Sequence, residues 1–335
     1  MEKLGEFLLF CSDSRGFSAA TVETYSAAIR DFERVLEKSD PAQVTAQDLD
    51  LYMTRKALTG TAVSTRRARA HALRAFFSFL HSRKFLEENP AEFFRPPDEK
   101  RQGIDTFTEE EVQALIFLRH TPSPRGRRES DYFFERRMKI EALCHLRDSA
   151  MLGLCYAVGL RSGEIASLRV SDLTRDDRGG TFVRLFGKWA KEPKNAFVDK
   201  RVAALLEAFL LERQELGQAH PALFCPIGPR PRGSKATSAG IDQARVSQIL
   251  ERRIREAGIQ RRNRRLTPHT FRYTRATHLY EAGLPLLEIR DFLRHRSIET
   301  TMRYIRLGSS KSIEKRANAK LPWNRPKVVV PEARA

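Results

Sequence analysis

Apolar positions recur at helical spacing through most of the chain. Val22, Tyr25, Ile29, Phe32 and Leu36 share one stripe, with Thr21 as a candidate N-cap. Pro41 and Thr45 bracket the next start, which leads into Leu49 and Met53. A third stripe runs through Ala70, Leu73, Phe76, Phe77 and Leu80 and stops before Asn89-Pro90. Residues 1–90 therefore read as helices throughout. From Arg95-Pro96-Pro97 to Thr106 the chain is polar and rich in helix breakers, the composition of a linker. Thr108 and Glu111 then stand at capping-box spacing in FTEEEVQALIFL, the start of a new helix. Residues 121–130 (TPSPRGRRES) form a long loop to which the sequence attaches no role.

Beyond that loop, Ser149–Leu160 reads as a buried helix through Met151, Leu154, Cys155 and Val158, ended by Gly159. Arg161 follows at once, and Ser162 caps a helix carrying Ile165 and Leu168. This places Arg161 at a bend between two packed helices, a rigid position for a charged side chain. Thr181–Phe186 alternates as a strand, Gly187-Lys188 turns, and Ala196–Val198 returns, which predicts a hairpin. Helices follow through Val202, Leu205, Leu206 and Phe209 and through Val246, Ile249, Leu250 and Ile254. Between them, residues 226–240 are too rich in Pro and Gly for anything but loop. A last apolar-periodic segment holds Leu286, Leu287, Ile289, Phe292 and Leu293. The pattern is mainly α, with a small antiparallel element, in a chain of 335 residues that is long enough for two domains.

Charge narrows the choice of partner. The net charge is +18 and the pI about 10.1, which favours a polyanion, nucleic acid or an acidic membrane. Residues 1–97 hold 14 Lys and Arg against 13 Asp and Glu, leaving 46 against 29 for the remainder, so the basic surface belongs mainly to the second part. Within the first part, Arg66, Arg67, Arg69, Arg74, Arg83 and Lys84 have no acidic residue among them. The longest uncharged apolar run, Ser149–Leu160, is too short to span a bilayer. The apolar patch at Phe7–Phe10 is too brief for a secretory signal. Cys11, Cys144, Cys155 and Cys225 form no metal-binding pair and read as core thiols of a reducing cytoplasm.

The chemistry gathers near the C-terminal end. His269 and Arg272 are three apart, which puts both on one face of a helix. His295 follows the last apolar segment, and Tyr304 comes nine residues later. A tyrosine hydroxyl is a weak nucleophile at its free pKa of about 10; it needs a base and a polarised target. A phosphodiester under attack accumulates negative charge, which an arginine fork is suited to hold. Histidines can take the nucleophile's proton or donate to a phosphoryl oxygen.

The ordered set His269, Arg272, His295, Tyr304 closely resembles the catalytic domain of the tyrosine recombinases, the phage-integrase and Xer family. RDSAMLGLCYAVGLRSGEIASLRVSDL matches that family's first arginine motif. GFSAATVETYSAAIRDF, VTAQDLDLYM, STRRARAHALRAFFSFL and ENPAE resemble its core-binding domain. The resemblance implies a SAM-like four-helix DNA-binding domain over residues 1–97 and a linker at 98–106. An α-rich catalytic domain with a small antiparallel sheet follows at 107–320, then a tail at 321–335. It implies attack by Tyr304 on DNA, giving a 3′-phosphotyrosyl link, with His269 as base and Lys188 as the acid that protonates the leaving oxygen. Arg161, Arg272 and His295 would stabilise charge, and Glu164 would orient Arg161. Neither metal nor ATP is implied.

Two sets of arginines would grip the duplex: Arg66, Arg67, Arg69 and Arg74, and next to the catalytic motif Arg261, Arg262, Arg264 and Arg265. The partner expected is double-stranded DNA with inverted-repeat half-sites, held by a homo-tetramer or a hetero-tetramer with a related recombinase, in the cytoplasm, for integration, excision or dimer resolution. A Xer-like enzyme fits better than a large phage integrase. Rivals are a catalytically silent DNA-binding synapsis protein and a type IB topoisomerase-like enzyme that reseals the same strand. Three departures from the family pattern stand out. Trp189 replaces a glycine after Lys188, leaving Lys191 and Lys194 as alternative acids. Arg294 stands in the usual Leu-Gly-His, and Ile305-Arg306 follows Tyr304. The loss of glycine at 294 would alter the turn or add a phosphate contact. In the tail, Trp323 or Val328–Val330 would dock on a neighbouring subunit.

Overall fold

The computed structural model describes residues 3–98, 104–186, 192–228 and 240–302, and the backbone onward to 305. It divides into two compact units, Met1–Gln102 and Gly103–Ala335.

The first unit is helical. α1 (Leu4–Leu9) runs on as a wider π-turn (Phe10–Ser14), followed by α2 (Ala19–Leu36), α3 (Ala46–Leu58) and α4 (Val63–Ser82). α2 starts earlier than Thr21: the Ser18 hydroxyl accepts from the Thr21 amide at 3.4 Å, so Ser18 is the cap and Thr21 lies inside the first turn. α3 opens on a reciprocal capping box between Thr45 and Asp48. The apolar stripes meet in a core of Phe7, Ile29, Phe32, Leu49, Leu73, Phe76 and Phe77. Asp31 pins three of the helices together. Its carboxylate accepts from Tyr52 Oη at 2.7 Å and Arg34 at 2.6 Å, and pairs with Lys56 at 2.8 Å and Arg69 at 2.9 Å. Burial works against that charge, but the bonds from Lys56, Tyr52 and Arg34 and the charge of Arg69 hold the carboxyl well below its ordinary range.

The second unit begins with α5 (Glu109–Ile116), whose capping box joins Thr108 and Glu111. α6 (Asp131–Ala157) is much longer than its apolar stripe predicts. Its first half is held by charge rather than by core. Arg137 bonds Glu129 at 2.8 Å and Glu141 at 2.7 Å, and Arg125 pairs with Asp131 at 2.7 Å. The Ser123 amide donates to Glu141 at 3.1 Å. The loop 121–130 thus clamps the start of α6.

After α7 (Ser162–Ser167) come three antiparallel strands in the order β1-β2-β3: β1 (Leu173–Arg175), β2 (Thr181–Leu185) and β3 (Lys194–Val198). β1 is too short to carry a readable alternation. Leu185 pairs with Lys194 across the hairpin; Lys188, Trp189 and Lys191 lie outside the described residues. α8 (Lys200–Glu215), α9 (Gln243–Glu256), α10 (Pro268–Glu281), α11 (Leu286–Phe292) and α12 (Ile298–Ile305) complete the unit. The core runs from Leu115 through Met151, Leu154 and Val158 to Leu206, Phe209, Ile249 and Phe271. All four cysteines are free, and no described helix is long and apolar enough to cross a membrane.

Candidate active site

Two backbone carbonyls organise the site. Gly159 ends α6 in the left-handed region (φ 64°), and Leu293 ends α11. They approach so closely that a Cβ on Gly159 would lie 2.7 Å from Leu293 Cδ2. Arg272, on the second turn of α10 and wholly buried, donates Nη1 to Gly159 O at 2.6 Å and Nη2 to Leu293 O. Its Nε donates to His295 Nε2 at 3.3 Å. One guanidinium thereby joins the ends of α6 and α11 and the histidine that follows them.

Arg161, the N-cap residue of α7, is two residues past Gly159. Its amide donates to Glu164 Oε2 at 2.8 Å and its Nη1 to Glu164 Oε1 at 2.7 Å. The Arg161 side chain remains 40 % exposed, so it keeps an open side. Burial pushes the Glu164 carboxyl up, but Arg294, the Arg161 amide and the Arg161 guanidinium together hold it below its ordinary value. It is therefore a carboxylate, suited to orienting an arginine.

His295 is buried, and its Nδ1 lies 2.9 Å from Thr301 Oγ1. Burial first, then the charges of Arg272, Arg161, Arg294 and His269, lower its pKa to about 3. His269, in the first turn of α10, stacks on Tyr273 with ring centroids 5.7 Å apart. Its Nδ1 is buried with no partner among the described residues. Burial and the nearby Arg272 and Arg161 lower its pKa, so the ring is neutral at pH 7 and can accept a proton.

Tyr304 belongs to α12, one turn after Thr301; its side chain is outside the described residues, as are Lys188 and the tail from 306. Thr301, which has no charge or motif to single it out, is the site residue the sequence did not reveal. Its only signal is its place one helical turn before the tyrosine.

The arginines assigned to DNA separate into two groups. Arg69 pairs with Asp31, and Arg264 makes a two-pronged pair with Glu111 (2.9 and 2.5 Å) while also bonding the carbonyl of Thr106. Both hold the fold. Arg261 pairs with Glu251 at 2.6 Å, and Arg66 bonds the Thr61 carbonyl at 3.2 Å. Arg74, Arg262 and Arg265 are exposed, and Arg67 is half-buried. Arg253, part of the same basic stretch, is wholly buried and donates to His145 O at 2.7 Å and Ser149 Oγ at 3.0 Å. The charge excess is thus partly structural.

Comparison with known proteins gives the family and the fold. Residues 134–310, more than half of the chain, match the model of the phage integrase family, and residues 4–87 match the N-terminal SAM-like domain of phage integrases. The chain is 27 % identical over 312 residues to tyrosine recombinase XerC of Myxococcus xanthus, covering 90 % of this chain and 91 % of that one. Among solved structures it resembles XerH site-specific recombinase bound to a palindromic difH substrate, at TM-score 0.63 and 18 % identity, covering 96 % and 85 % of the two chains. It also resembles a lambda integrase tetramer bound to a Holliday junction, at TM-score 0.64 and 14 % identity, covering 91 % and 77 %. The chain belongs to the phage integrase family and is a tyrosine site-specific recombinase.

Proposed function

We propose that Tyr304 is the nucleophile of this recombinase and that the cluster around Gly159 and Leu293 holds the scissile phosphate. The observation that carries this reading is the convergence of Arg161, His269, Arg272 and His295 from elements more than a hundred residues apart, on the unit whose α12 bears Tyr304. In the reaction Tyr304 Oη attacks phosphorus, its proton passes to His269, and the bond to the 5′-oxygen breaks as Lys188 supplies that oxygen with a proton. Arg161 and Arg272 balance the charge on the non-bridging oxygens. His295, whose Nε2 receives the Arg272 Nε hydrogen, fixes the fork of that arginine. A 5′-hydroxyl of a second duplex then attacks the tyrosyl phosphate. One ester replaces another, so no ATP is consumed.

Exchange between two duplexes needs four active sites. We therefore infer double-stranded DNA with inverted half-sites as partner and four recombinase subunits on it. The tail beyond residue 320 supplies a contact between subunits. Arg67, Arg74, Arg262 and Arg265 are the best placed of the proposed arginines to meet phosphates.

The test is to map SDS-resistant protein–DNA adducts on genomic DNA. The wild-type chain should form them at discrete sites, in EDTA as well as in magnesium, and Tyr304→Phe should bind the same DNA without forming any. Adducts formed by the Phe variant would remove Tyr304 from the role.

A further inference from the structure

Arg294 has no part in the mechanism so far, yet its backbone and its side chain are both tightly held. Its backbone is left-handed (φ 56°), a region that favours glycine, so its side chain is carried at a conformational cost. That side chain does not reach outward. Only 12 % of it is exposed. Its Nη2 lies 3.3 Å from Glu164 Oε2 and 3.4 Å from Gly159 O, and its Nη1 bonds the carbonyls of Phe292 at 3.1 Å and Val158 at 3.4 Å. Its own carbonyl accepts from Arg161 Nη2 at 3.4 Å.

Glu164 therefore lies between two guanidiniums. Oε1 takes Arg161 Nη1, while Oε2 takes the Arg161 amide and Arg294 Nη2. With its side chain on Glu164 and its carbonyl on Arg161, Arg294 holds both ends of the Arg161–Glu164 pair. From this geometry we propose that Arg294 is a positioning residue: it locks Glu164 so that the open side of Arg161 is already set for a phosphodiester oxygen before DNA arrives. It does not itself touch the phosphate. The proposal rests on Arg161 being a phosphate ligand, as argued above.

Arg294→Gly suits the backbone and removes the guanidinium, so it should remain folded at the assay temperature, which its Tm checks. On a nicked duplex carrying a site recovered by adduct mapping, it should form the covalent complex roughly tenfold more slowly, a change of about 1.4 kcal/mol, with Kd for the duplex within about twofold. Glu164→Gln should show a similar loss. The double variant should be no slower than Glu164→Gln alone, because both changes release the same arginine. Arg294→Lys should recover part of the rate. A wild-type rate for Arg294→Gly, or losses that multiply in the double variant, would overturn the proposal; the latter would place Arg294 on the DNA.

A second measurement does not depend on DNA chemistry. In the side-chain nitrogen NMR spectrum of the free protein, the Arg161 guanidinium should show hindered rotation in the wild type and lose it in Arg294→Gly. Unchanged Arg161 signals would sink the positioning role even if the chain cleaved no DNA. A wild type without adducts but with the NMR change would instead count against the assigned reaction.

Discussion

Thr301 Oγ1 sits 2.9 Å from His295 Nδ1, and that contact ties the imidazole to α12. Arginine nitrogens only donate, so His295 Nε2, 3.3 Å from Arg272 Nε, must be the acceptor. Nδ1 then carries the hydrogen and gives it to Thr301. Thr301→Val keeps the shape and removes that acceptor, which should cost about 1–3 kcal/mol. Adduct formation should slow by roughly tenfold, while Thr301→Ser should stay near wild type. Equal rates for Val and Ser in a single-turnover assay would show that the Thr301 acceptor plays no part in holding the imidazole.

Gly159 bears on the same cluster from the α6 side. Alanine there meets two obstacles: the left-handed backbone, worth about 1–2 kcal/mol, and a Cβ only 2.7 Å from Leu293 Cδ2. Leu293 must move, and its carbonyl is a partner of Arg272. Gly159→Ala should therefore lose more activity than its Tm shift accounts for, with a residual rate at least tenfold down under conditions where it remains folded. A variant that loses Tm and keeps its rate would confine Gly159 to a structural role.

Most of this architecture was legible because apolar period and caps report local choices. The stripes of α2, α4, α9 and α11 and the capping box of α5 were readable for that reason. What escaped depends on contacts distant in sequence or on charge. The first half of α6 has no buried residue before Leu143 and is stabilised by Arg137 between Glu129 and Glu141. β1 is too short to signal itself. Arg69 and Arg264 looked like surface charge because the acids that hold them lie far along the chain. At the site, residue types announced Arg161, His269, Arg272 and His295, whereas Thr301 and the inward turn of Arg294 needed the packing.

Asp31 offers a test of the first unit. Asp31→Asn keeps an acceptor for Tyr52 and removes the charge that Lys56 and Arg69 share; Lys56 is only 13 % exposed and Arg69 25 %. Two partly buried cations would then face one another, which should cost about 3 kcal/mol. Chemical unfolding of the variant should show that loss. Adding Lys56→Met should restore part of it, since the leftover charge is the larger part of the penalty. A single variant as stable as wild type would mean that solvent screens the cluster.

Acid should destabilise the protein earlier than its carboxylates alone require. His145, His269, His278 and His295 are all held below the ordinary 6.5, with burial the largest cause in each, and His295 lies at about 3. Unfolded, these rings take up protons as pH falls through 6.5; folded, they do so only at lower pH. Protons are thus gained on unfolding, and stability falls as pH drops below about 6.5, by about 1.4 kcal/mol per pH unit for a ring as buried as His295. Carboxylates such as Asp31 and Glu164 are held low instead, so their contribution persists above about pH 4 and is lost only as pH falls further. Urea midpoints measured from pH 7.5 to 5 should decline. In His295→Gln, which cannot titrate, the decline should be shallower by close to one proton. A wild-type midpoint that stays flat across that range would mean that His295 is charged in the folded protein, and its assignment as the neutral partner of Arg272 would fail with it.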